Sequence, residues 1–136
     1  LFAYYEKLAA VLADKADFGV RMKAAYDKNQ LLALKEICEK EIPEIIQNLE
    51  EMKVLREDLW MSEAKPFGYE LIDVKLGAVI TRLHSASRRV KKYLEGSIPQ
   101  LEELEEVRLP YFDKNTHKRE NRWSQIISGS DLIDTI

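Results

Sequence analysis

The sequence predicts an all-α fold, an antiparallel bundle of three long helices with a short fourth helix and a C-terminal tail. Three observations predict it. Apolar residues recur at steps of three, four and seven over most of the chain, the spacing of one helix face. Gly (5) and Pro (4) are scarce among 136 residues, while 46% are hydrophobic and 33% charged. The long periodic segments are joined by short connections, which forces neighbouring helices to run antiparallel.

The first segment runs from about Phe2 to Asp27. Its apolar face is expected at Tyr5, Leu8, Leu12, Gly19, Met22 and Tyr26. Lys15, Asp17 and Gly19 weaken its middle and mark where a break would fall. Asn29 has the chemistry of an N-cap for the second segment. There Leu31, Cys38, Ile42, Ile45, Leu49, Met52 and Leu59 form a heptad seam. Pro43 lies inside it and lacks a backbone donor, so a kink is expected between Glu39 and Pro43. The third segment, about Tyr69 to Glu95, steps by four and three through Ile72, Leu76, Val79, Leu83, Ala86, Val90 and Tyr93. Gly96 then ends it, because glycine tolerates the left-handed conformation of a C-terminal stop. Pro99 opens a short fourth helix with Leu101, Leu104 and Leu109, closed by Pro110. Residues 111–122 read as an exposed loop and 123–136 as an apolar tail that must be buried against its bundle or a neighbour. The whole is one domain, 1–136, by size.

Composition narrows function. A net charge of −3 and the lack of a basic surplus argue against a general nucleic-acid partner. No apolar run approaches the roughly 18 residues of a membrane span. The single Cys38 allows no internal disulfide and falls on an apolar helix face, where core packing is its simplest role. Of the two histidines, neither His84 nor His117 has a Glu three residues before it, so a bundle metal site lacks its ligands. No phosphate-binding glycine loop and no nucleophile–base pair can be placed. No cofactor is expected. Glu102, Glu103, Glu105 and Glu106 read first as a solvated face. The basic run Arg82, His84, Arg88, Arg89, Lys91 and Lys92 is concentrated toward a helix C-terminus, where positive charge is favoured.

The connection between the second and third segments is different. Pro66 pushes Lys65 out of the helical region, and Gly68 permits a tight turn. Trp60, Phe67 and Tyr69 are interleaved there with Lys65, Glu70 and Asp73. Glu70 and Asp73 are expected in the first turn of the third helix, and Gly77 where another backbone can approach. Two readings stand side by side: Phe67 plugs the end of the bundle, or Trp60, Lys65, Phe67, Tyr69, Glu70, Asp73 and Arg82, with Trp123 of the tail, form a docking surface.

RMKAAYDKN (21–29), Leu59-Trp60, KPFGYELIDVKLG (65–77), Arg82 and ELEEVRLPY (103–111) together resemble the C-terminal helical domain of bacterial exo-β-N-acetylhexosaminidases. These are glycoside hydrolases of family 20 with a helical domain after the barrel. The resemblance implies a parent enzyme that removes terminal β-linked N-acetylhexosamines by substrate assistance, an exception to the usual two-carboxylate schemes. The family's adjacent Asp-Glu pair belongs to the barrel, and no Asp-Glu dipeptide occurs in this chain. No catalytic residue is therefore carried over. The implied partners are the catalytic barrel of the same polypeptide and a second subunit, in the bacterial cytoplasm. The start at Leu1, without Met, fits an excised C-terminal piece. A free-standing helical interaction module is the alternative.

Overall fold

The computed structural model of the chain describes residues 1–106. Every regular element among them is helical: α1 (Phe2–Lys15), α2 (Phe18–Asp27), α3 (Leu31–Glu36), α4 (Ile42–Glu63), α5 (Tyr69–Leu94) and α6 (Glu102–Glu105). A π-helical turn, Ile37–Glu41, joins α3 to α4 without a break. The expected all-α bundle is what forms. Leu109, Pro110, the 111–122 loop, the 123–136 tail and Trp123 lie outside the described residues. No described helix is long and apolar enough to cross a membrane.

The continuous rod from Leu31 to Glu63 is the spine. α1 lies antiparallel along α4, since Lys7 meets Asn48 and Glu51, while Asp14 accepts from Asn48. α5 returns along the other flank. Two clusters fill the space. One, at the π-turn end, gathers Met22, Ala25, Leu34, Ile37, Cys38, Ile42, Val90 and Leu101. The second gathers Val11, Ile45, Leu49, Met52, Leu76 and Ile80. Phe18, Ile46 and Leu83 pack against both, so the core is continuous. Cys38 is buried with its Sγ 3.3 Å from the Ser87 carbonyl, to which the thiol donates.

The break marked by Lys15, Asp17 and Gly19 does fall, at Ala16–Asp17, so the first segment is two helices. Several expectations need correction. Within α1 the face turned to the core is Tyr4, Leu8 and Val11, so Tyr5 and Leu12 stay exposed. Gly19 faces open space, not a neighbour. Asn29 does not cap α3, whose N-cap is Gln30. Asn29 instead takes a left-handed φ of 52° after α2. The Gln30 N–H then reaches Ala25 O at 2.8 Å, and the Asn29 N–H reaches Tyr26 O at 2.9 Å, the two bonds of a Schellman stop. Gly96, at φ 73°, ends α5 by the same pair of bonds, Ser97 N–H to Lys92 O and Gly96 N–H to Tyr93 O. Pro43 is accommodated by the π-turn. The Ile42 N–H reaches back five residues to Ile37 O, and Pro43, at the first turn of α4, needs no donor there.

Part of the acidic run is tied down instead of simply solvated. Arg89 donates to both carboxylate oxygens of Glu103, at 2.8 and 3.2 Å. The Tyr26 hydroxyl donates to Glu105 and accepts the Leu101 N–H at 3.1 Å. These contacts hold α6 over the end of α2 and α5.

Two outcomes are expected. Leu49, 1% exposed, should cost about 2–5 kcal/mol when cut to Ala, while exposed Leu31 should cost under about 1 kcal/mol, both by urea unfolding. Arg89 holds the Glu103 carboxyl below the usual glutamate range. Its folded pKa being the lower one, the pair stabilises above the unfolded pKa of about 4.3 and this is lost as pH falls through the folded value. Glu103→Gln should remove that acid-side loss, which is small for so exposed a pair. An unchanged pH profile of stability would contradict it.

Candidate docking surface at the 64–69 corner

The turn between α4 and α5 is built from its backbone outward. Ala64 leaves the helix in an extended conformation, and Pro66 O then accepts the Tyr69 N–H at 3.2 Å. Gly68 sits at φ 95°, the left-handed region, where any side chain is strained. Its N–H donates to Glu70 Oε2 at 2.8 Å, so Glu70 caps the start of α5 from inside the first turn. The Trp60 indole Nε1–H donates to Lys65 O at 2.8 Å and ties the turn to the last coil of α4.

Beneath the turn lies Tyr69, 4% exposed. Its ring meets the Trp60 ring at 5.9 Å, tilted by 54°. Its hydroxyl donates to Lys53 O at 3.2 Å. Burial, helped by the Asp73 charge, raises the Tyr69 phenol pKa, so the ring stays neutral. The Arg56 guanidinium lies 5.4 Å from the Trp60 ring and 5.6 Å from Tyr4, joining the start of α1 to the corner through its charge.

This arrangement excludes the plug reading of Phe67. It is not the plug: Tyr69 is, and Phe67 stands out at the apex, 83% exposed. A residue directly after Pro66 and before a left-handed glycine is turned away from the bundle. Trp60 is half-buried and packed inside the corner, while Lys65 and Glu70 are exposed.

The expected surface does not form as one unit. Asp73 falls just beyond the first turn of α5 and pairs with Lys53 at 3.6 Å. Arg82 is nine residues on, about two and a half turns, so it points to the opposite side of the helix. It borders a cavity of about 90 Å³ under α6 with Ser85, Ala86, Val90, Leu101 and Glu103. Gly77 receives no neighbouring backbone, since a Cβ there would meet nothing within 4 Å. Among the described residues no cluster of metal-ligating side chains forms.

What the sequence reading missed is apolar. Leu71 and Val74, three residues apart on one face of α5, are 64% and 65% exposed. Leu1, Phe2 and Tyr5 of α1, and Met61 of α4, are exposed at the same end of the bundle. Spacing held a signal: 71 and 74 share a face of α5 turned away from the buried Tyr69 and Leu76 and the half-buried Ile72.

Fold and corner define a small helical domain with exposed apolar side chains at its corner end and no assembled reaction centre among its described residues. Residues 1–123 match the model of the glycoside hydrolase 20C C-terminal domain, and the chain belongs to that family. A search of curated proteins finds no match.

Tyr69→Ala should destabilise the chain by about 3–5 kcal/mol, as deletion of a packed aromatic does. Phe67→Ala should stay within about 0.5 kcal/mol. Denaturant unfolding of the two variants side by side measures this, and a Phe67 cost equal to that of Tyr69 would make Phe67 the plug after all.

Proposed function

We propose that this chain is the non-catalytic C-terminal helical domain of a bacterial β-N-acetylhexosaminidase. It packs on the catalytic barrel of the same polypeptide, and supports dimerisation or borders the active-site rim. The observation that carries this reading is that Leu1, Phe2, Tyr5, Met61, Phe67, Leu71 and Val74, seven of the twelve exposed large apolar side chains among the described residues, belong to the corner end of the bundle. Exposed apolar side chains concentrated in this way belong to a surface that is covered in the working protein. The opposite result, apolar residues scattered singly, would need no partner.

Family membership supports the identity of that partner, because the family is described as a C-terminal domain of glycoside hydrolases. Geometry supports it too. Antiparallel packing brings the start of α1 to the corner end, through Tyr4, Arg56 and Trp60. A domain joined ahead of Leu1 therefore enters at the apolar end, and the tether keeps it at high local concentration.

The parent polypeptide should hydrolyse an aryl β-N-acetylglucosaminide, and this chain alone should not. Activity in the purified chain alone would overturn the reading. Light scattering over a dilution series should report a dimer for the parent enzyme if the domain supports assembly, and a monomer at every concentration would remove that part.

A further inference from the structure

We infer that Phe67 is the anchor of the interdomain contact, a preformed aromatic knob that seats in an apolar recess of the catalytic domain, with Leu71 and Val74 lying along its edge. The inference rests on the docking reading above and adds which side chain dominates it. It starts from a contrast in how the corner is built. Phe67 is among the most exposed large apolar side chains in the described chain, yet the backbone on both sides of it is held firmly. Pro66 restricts one side, and on the other Gly68 takes a φ of 95° that few other residues could adopt. The Trp60 indole N–H holds Lys65 O, and Glu70 holds the Gly68 N–H. Below, Tyr69 is locked to Lys53 and packed on Trp60.

An exposed aromatic gains nothing for the isolated fold from such a rigid mount. A binding partner does gain, because little conformational freedom remains to be lost when the ring is buried. Aromatic side chains held rigid at the centre of a patch are the usual energetic anchors of interfaces. Leu71 and Val74, exposed on the first two turns of α5, add aliphatic surface near it. The catalytic domain is the occupant because it is tethered at this end.

The experiment is scanning calorimetry on the parent enzyme, with catalytic and helical domains in one polypeptide. The unsubstituted enzyme should unfold in one coupled transition. Phe67→Ala should split it, with the helical domain melting separately, as should the double variant Leu71→Asp/Val74→Asp. Circular dichroism of each variant in this chain alone controls for folding. If the double variant splits the transition and Phe67→Ala does not, the anchor is overturned and the docking face stands. If neither splits it, the docking reading falls, and the anchor with it.

Discussion

The Leu31–Glu63 spine is the constraint on which the rest of the structure depends. Both core clusters are built on it, one around Leu34, Ile37, Cys38 and Ile42, the other around Ile45, Leu49 and Met52. Pro43 sits between them and threatens the rod, because a proline inside a helix loses a hydrogen bond and crowds the preceding turn. The π-turn at Ile37–Glu41 absorbs that conflict and keeps the two halves of the spine continuous. Arg21 donates to Glu41 across it and fastens α2 there. With the spine intact, α1 and α5 have two flanks to pack on, and their first turns arrive at the same end.

That shared end is where structure becomes function. The corner is stiff because its polar groups are satisfied locally and its buried ring is Tyr69. It is sticky because the residues pointing outward are apolar. The separation is produced by alternation along a few positions: Phe67 out, Tyr69 in, Leu71 out, Ile72 in, Val74 out, Leu76 in. α5 buries one apolar side on α4 and leaves Leu71 and Val74 exposed on the other, the side proposed above to meet another part of a glycoside hydrolase.

Much of this could be read from residues alone, for definite reasons. Heptad steps through Cys38, Ile42, Ile45, Leu49 and Met52 located the seam, because burial of one face is what that period encodes. Pro66 and Gly68 marked the turn, since each restricts or permits backbone angles in a known way. Failures had equally local causes. In α1 the apolar spacing fits Tyr5, Leu8 and Leu12 as well as Tyr4, Leu8 and Val11, and only packing on α4 selects the second set. Asn29 has two uses, N-cap and left-handed stop, and composition does not choose between them. Asp73 and Arg82 were grouped by their charge, although nine residues place them half a turn apart. Phe67 and Tyr69 exchanged roles because both are large aromatics beside one glycine, and only the backbone path decides which points inward.

The central claim is that the apolar end of the bundle is covered in the parent enzyme. Hydroxyl-radical footprinting tests it most directly, comparing this chain alone with the parent polypeptide. The account predicts that Met61, Phe67 and Leu71 react readily in the chain alone and are protected in the parent, while Leu32 on the far side reacts equally in both. Equal labelling of Phe67 and Leu71 in the two forms would contradict it.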